Sequence, residues 1–569
     1  MRILNAGVAA VVVFLLVLVG LSSTNALSSQ PKTLQIALTP TDTSTVTSSE
    51  TPSPTATAVV QPKKAYVPLF FSYRPKPPLY STSYYMLTVD SSTLYTMGCK
   101  LGQADHAYGY TRQTVVVLDF GSPKKVGSEY GTDLFWMGPV TITQITAAVK
   151  NFGMGYYTCV ADNHQSQLYV GIGTTNYHTS ISNTTDFWNH GVAWANMVNA
   201  VNAWYISQGI SGQVLAVGAD DVELSWNSPA ISKAWVNGYY STHKYDWYDF
   251  GTLDGCANRS YPTYDKCGNG WTRDDAYYVV YGTAPAWPLP EIYLENGVNA
   301  QQWALLSLYS AMYKGYTFQF IGVFTQAQAC AQSPGQCTGV DNSPAAGWNQ
   351  LYDQLSADPR TYNIPTWSTD IKWWDGLAVG PTVASKNPPD LTYSQDTSSL
   401  YQGLRDSLLS DLYRPGLPDQ ARQVLTEKLD NVNRVLSDQA AGAAHPAPKN
   451  TKALPATPKV IDSSFPVGIF DGAGGAFHAW EGNFNNHWQG MVNGEFEFVS
   501  AGSQSDDPNQ GIVMVMTVSG DRLKVQKNIY TAPAGSGSLS VSKVAWPLVT
   551  LSSSNGQTYI FNVQSSLFQ

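Results

Sequence analysis

The sequence predicts an α/β protein whose main body, residues 65–380, is a (β/α)8 TIM-like barrel, followed by a helical connector and a small all-β domain. Short β-branched or aromatic runs alternate with stretches of helical spacing, which implies a parallel sheet with right-handed crossovers. About eight candidate strands fall within roughly 300 residues, the scale of such a barrel. No Gly-x-Gly-x-x-Gly turn follows any of them, so the dinucleotide-binding signature of an open doubly wound sheet is missing.

The elements follow in order. TVVVLDFG (114–121) reads as a buried strand and TQITAAVKNFGMG (143–155) as a helix. LYVGIGTTNY (168–177) is a strand, then GVAWANMVNAVNAWYISQG (191–209) an amphipathic helix. QVLAVGADDVEL (213–224) is the next strand, and SPAISKAWVNGYYS (228–241) opens with Ser and Pro at helix-start positions. YDWYDFG (245–251), AYYVVYG (276–282) and WPLPEIY (287–293) extend the set of strands. A helix over 299–315, a strand over 316–326, a helix over 347–359 and a strand over 365–373 complete it.

Residues 1–26 read as a secretory signal peptide: Arg2, an apolar run from Ala6 to Leu21, and small Ala26 at the cut. The run also approaches the ~17 residues of a short membrane span, so membrane attachment is expected only if the segment stays uncut. Residues 27–64 form a Ser/Thr/Pro-rich linker. Export predicts a secreted or cell-surface protein, and the six cysteines agree. Cys256 with Cys267 and Cys330 with Cys337 are local pairs, leaving Cys99 for Cys159; this is a choice by locality among 15 connectivities.

Residues 381–441 hold two helical stretches split by RPGLP, the helical connector, and 442–461 are a Pro/Ala-rich linker. The last segment, 462–569, carries two expected hairpins, the second turned by Asn555-Gly556.

Charged residues are only 13% of the chain and the net charge is −9, with no basic run, which excludes a nucleic-acid partner. The 17 Trp and 34 Tyr fit both sugar recognition and a large packed extracellular domain.

Barrel chemistry gathers at the C-terminal strand ends. Asp119, Asp221, Glu223, Asp249 and Glu291 fall there, and a carboxylate at any one of these positions also serves as a helix cap. Together they predict glycoside hydrolase-like acid/base chemistry on a polysaccharide or cell-wall glycan, with one carboxyl as acid and another as nucleophile or base. Asp221 and Glu223, two apart, share a strand face, with Asp220 opposite. Glu223, beside Leu224 and Trp226, is the expected acid; Asp119 or Glu291 is its partner, and Asp221 tunes it or holds substrate. Asp249, Trp226, Trp247 and Trp287 are substrate-binding candidates, Trp136 and Trp188 follow other strand ends, and His178 and His190 are the histidines nearest the mouth. The alternative is a non-catalytic surface protein that binds glycan or protein. No cofactor is expected and no metal: calcium on Asp119, Asp220, Asp221 and Glu223 would lack the Gly-spaced Asp/Asn pattern.

The Asp221-x-Glu223 strand end resembles that of barrel glycosidases, including muramidases and chitinase-like enzymes. The chitinase-type pattern implies further acids at positions 216 and 219, where this chain has Ala216 and Ala219, which counts against substrate-assisted chemistry. Residues 84–373 are also similar to uncharacterised exported bacterial proteins, a likeness that implies export and a barrel and no substrate.

Overall fold

The computed structural model describes residues 74–569 apart from 108–110, 136, 161–165, 178–180, 260–265, 333–336, 375–399, 448–466, 473–481, 506 and 519–524. The signal segment, the first linker, most of the second, Trp136 and His178 lie outside the described residues.

Eight parallel strands make one sheet: β1 (Ser81–Tyr85), β2 (Gln113–Asp119), β3 (Gln167–Thr175), β4 (Val214–Asp221), β5 (Trp247–Asp249), β6 (Ala286–Pro288), β7 (Gly322–Thr325) and β8 (Trp367–Trp373). Their order is β7-β8-β1-β2-β3-β4-β5-β6. At the seam between β6 and β7, Ile321 N donates to Pro288 O (3.1 Å) and Phe324 N to Pro290 O (2.9 Å), so the barrel is nearly closed.

One expected strand is corrected and one strand that was not expected is present. AYYVVYG is helical: Thr272 caps a helix at Arg273–Tyr277, with Asp275 completing a capping box, and a π-turn follows at Tyr278–Gly282. A short apolar run cannot be told from a buried helix by periodicity, and the capping box decides it. The missing strand is β1, which lacks an apolar pattern because its inward side chains are hydroxyls. Ser83 Oγ pairs with Thr369 Oγ1 (2.7 Å) and accepts from Val117 N (2.9 Å). The strands expected over 287–293 and 316–326 are short, confined to β6 and β7.

The helices Leu400–Leu412 and Asp419–Ala444 do more than connect. They pack beneath the N-terminal end of the barrel, where Tyr401 stacks on Tyr169 (5.5 Å) and Leu400 N donates to Gln113 Oε1 (2.7 Å). A three-stranded antiparallel sheet (Ser122–Val126, Glu129–Leu134, Gly138–Thr141) is inserted after β2 at the opposite end.

The C-terminal segment is all β. A five-stranded antiparallel sheet faces a four-stranded one around Val499, Val513, Leu539, Leu551 and Phe561. Gly556, at φ +82°, supplies the left-handed turn that the Asn-Gly pair predicts.

All three expected disulfides are present, Cys99–Cys159, Cys256–Cys267 and Cys330–Cys337, and they suit an oxidising compartment. Among the described residues, no helix is long and apolar enough to cross a membrane.

Candidate active site

Three carboxyl groups converge at the C-terminal mouth of the barrel. Asp221 ends β4, Glu223 follows two residues on, and Glu291 follows β6; oxygens of the three lie within 4.8 Å of one another. All are nearly inaccessible, at 4%, 2% and 1% exposure, so their charge cannot be relieved by water.

Backbone and side-chain contacts hold them there. The Asn176 amide clamps residue 223: its Nδ2 donates to Glu223 O (2.9 Å) and its Oδ1 accepts from Glu223 N (3.1 Å). Thr252 Oγ1 donates to Glu223 Oε2 (2.7 Å), and Tyr293 OH donates to Glu291 Oε1. Glu291 N donates to Gly251 O (3.1 Å), tying its height to the chain after β5. Gly251 is required there, because an added Cβ would lie 2.3 Å from Val222 O. One oxygen of each glutamate is thus fixed, while Glu223 Oε1, Glu291 Oε2 and Asp221 Oδ1 receive no hydrogen bond from outside the three carboxyls.

Burial is the largest influence on each proton affinity. It pushes Glu223 well above the usual carboxylate range; the Asp254 charge adds to the rise, and the Thr252 bond opposes it. Glu291 rises through burial and then through the charges of Asp221 and Glu223. Asp221 rises through burial, with Glu223 and Asp119 adding to it. Asp119, fully buried at the end of β2, is pushed up to about 7 by burial, with a bond from Gly121 N (2.9 Å) working the other way. Protons are the simplest compensation for so much buried negative charge.

The strand alternation also falls as expected. An added Cβ at Gly218 would meet the Tyr239 ring on the helix after β4, so the even positions of β4 face the helices. Asp220 takes that side, beside its register partner Asp249. Asp249, pushed up to about 8 by burial, sits behind the mouth, on the side where Trp247 packs against Trp235.

Two of the expected sugar-facing tryptophans are elsewhere. Trp247 is fully buried against Trp235, and Trp287 lies under Lys428 at the barrel's other end. Large apolar rings at strand starts fill core layers, which sequence position alone does not separate from mouth positions. Trp226 is half-buried beyond β4, edge-on to Tyr177 (5.5 Å). Three half-buried rings that the sequence reading passed over stand beside the carboxyls: Tyr85 ends β1, Trp373 ends β8 and Phe135 comes from the inserted sheet. Their centroids are 4.3 Å (Tyr85–Trp373), 5.3 Å (Phe135–Trp373) and 5.4 Å (Tyr85–Phe135) apart. The signal that could have found two of them is the same strand-end rule, applied to aromatic as well as acidic residues.

His190 is a structural residue. Its Nε2 bonds Gly131 O, its Nδ1 accepts from Trp235 Nε1, and burial lowers it to about 4. A surface cavity of about 430 Å³ around Trp188, Thr184, Lys233 and Asn237 lies on the outer wall and contains none of the carboxyls.

Asp221, Glu223 and Glu291 are also the described group best placed to hold a hard divalent cation. Three oxygens are few against the 6–8 that calcium takes.

Comparison with known proteins leaves the chain on its own. No protein family, curated protein or solved structure matches it.

Proposed function

We propose that this is a secreted glycoside hydrolase-like enzyme that cleaves a polysaccharide or cell-wall glycan with retention of configuration. The observation that carries the reading is the convergence of Glu223 and Glu291, each with one anchored oxygen and one that receives no hydrogen bond from outside the three carboxyls. Oxygens of the two are no more than 4.8 Å apart, short of the ~6.5–9.5 Å that leaves room for an inverting water.

Glu223 keeps its proton through burial and gives it to the glycosidic oxygen as the C1–O bond breaks. Glu291 Oε2 attacks C1 from the other face and forms an ester, while Tyr293 holds Oε1. Water then cleaves the ester, giving its proton to Glu223 and releasing Glu291 as carboxylate. Asp221 lies beside both and opposes their ionisation, which keeps the shared proton on the site. The N-terminal signal pattern and the three disulfides support export.

The test is hydrolysis of a glycan panel by the disulfide-intact chain, with product anomers read by NMR. Glu223→Gln is expected to lower turnover by about 10²–10⁴-fold while leaving the circular dichroism unchanged. An inverted first product, or undiminished turnover in that variant, would remove this mechanism. No turnover on any glycan would favour a non-catalytic binding protein.

A further inference from the structure

We propose that the mouth recognises a hexosamine bearing a free ammonium group, and that Asp119 is the residue that selects it. This inference rests on the glycan-cleaving reading above and narrows its substrate class.

Asp119 is fully buried and stands on the inward face of β2, where an added Cβ on its neighbour Gly173 would lie 2.9 Å from the Asp119 Cα. Its Oδ1 is taken by Gly121 N, and its Oδ2 has no partner. It is the register partner of Tyr85 on β1 and, through Gly173 and Ala219, shares the inward face with Asp221, so it lies between the aromatic wall and the carboxyls. Its charge raises the proton affinity of both Tyr85 and Asp221. Among the described residues, no ion pair joins a lysine or arginine to Asp119, Asp221, Glu223 or Glu291. A buried carboxylate oxygen without a cation or donor is costly, and a ligand that brings one recovers that cost on binding.

The surroundings select the sign of the charge. An anionic sugar would meet the carboxyls of Asp119, Asp221, Glu223 and Glu291, in a chain whose net charge is −9. An ammonium would find Asp119 Oδ2 as a charge-assisted acceptor and the rings of Tyr85, Phe135 and Trp373 as a cation-attracting wall. The same rings cover the apolar face of a pyranose. A neutral hydroxyl could also donate to Oδ2, but it would bring no charge to pair with the ionised carboxylate.

The experiment uses the full chain carrying Glu223→Gln, so that ligands are bound and not turned over. Its affinity for a β-1,4-glucosamine tetramer is compared by calorimetry with the N-acetylated tetramer, cellotetraose and a uronate tetramer. The free-amine sugar is expected to bind about tenfold or more tighter than the acetylated and neutral ones, the worth of one charge-assisted bond, and the uronate not at all. Adding Asp119→Asn should bring that ratio close to one. Equal affinity for amine and neutral sugars, or a preference that survives Asp119→Asn, overturns this inference and leaves the proposed hydrolase standing. Absence of binding by every sugar overturns both. Should the double variant not fold, the amine-to-acetyl ratio in Glu223→Gln alone decides.

Discussion

The two ends of the barrel bury charge in opposite ways. At the N-terminal end, the helix Asp419–Ala444 inserts Lys428, whose Nζ donates to the carbonyls of Thr283 (3.1 Å), Ala284 (3.3 Å) and Ala286 (2.5 Å). It lies over the rings of Tyr281 (4.3 Å) and Trp287 (4.4 Å). Its countercharge is Asp246, which that lysine, with Trp287, Tyr401 and Asn431, draws back towards ionisation against burial. At the C-terminal end, Asp119, Asp221, Glu223 and Glu291 are buried as deeply and, among the described residues, form no ion pair with a lysine or arginine. A buried amine that donates to three carbonyls, with an opposite charge acting on it, closes a structure. Buried charges of one sign, left with open oxygens, hold protons at unusual affinity, which is how chemistry at neutral pH is prepared.

The largest effect expected from this contrast is at the closed end. Lys428→Met strips three carbonyls of their donor and leaves Asp246 without the positive charge that acts on it, and should cost about 3–5 kcal/mol in urea unfolding, partly restored by Asp246→Asn. A loss under about 1 kcal/mol would make the lysine dispensable and end the comparison.

The pH dependence of stability comes next. Asp119 and Asp249 have folded-state affinities raised to about 7 and about 8, above the ordinary value of 3.8. The folded state therefore binds protons that the unfolded chain releases. That contribution is complete below about pH 4 and is lost as pH rises through about 7 and 8. Lys428, lowered to about 7 by burial, works in the opposite sense above that pH, and His190, lowered from 6.5 to about 4, opposes the two acids below about pH 6.5. Two acids against one imidazole leave a net fall across about pH 5 to about pH 7. The urea midpoint should fall across it, and Asp119→Asn should flatten the slope. A midpoint that rises with pH would contradict the site's proton inventory.

A smaller effect has the opposite sign from the lysine's. Asp221→Asn removes one of several crowded like charges and is expected to raise stability by about 1 kcal/mol near pH 7 while reducing turnover. Destabilisation there would mean that Asp221 has a structural partner. The last change is at the wall: Phe135→Ala breaks two ring pairs worth about 0.5–1.5 kcal/mol each and should cost about 1–3 kcal/mol of stability, and it is expected to weaken glycan affinity measurably. A fall in stability with no change in affinity would return the three rings to packing.

The alternation of runs such as 114–121 and 213–224 with helical stretches made the barrel legible, because each unit obeys a local periodicity. The carboxyls were legible for a related reason: in a barrel, strand ends are the mouth, so Asp119, Asp221, Glu223 and Glu291 could be chosen one strand at a time. Trp247 and Trp287 were misread because the sequence locates a ring along a strand without saying which layer its side chain fills. The serine-lined β1 was missed because its inward partners, Thr369 and Val117, are distant in the chain.

Sequence alone therefore determined the strand–helix alternation and the presence of acids at the strand ends, while the cysteine pairs chosen by locality were decided by the structure. The alternation and the acids depend on spacing within one segment. Tertiary structure decided that Glu223 meets Glu291 across an intervening strand, that Asn176 and Tyr293 fix them, and that the 400–444 helices close the barrel beneath. Those are distances between segments far apart in the chain, set only when the sheet curls and closes.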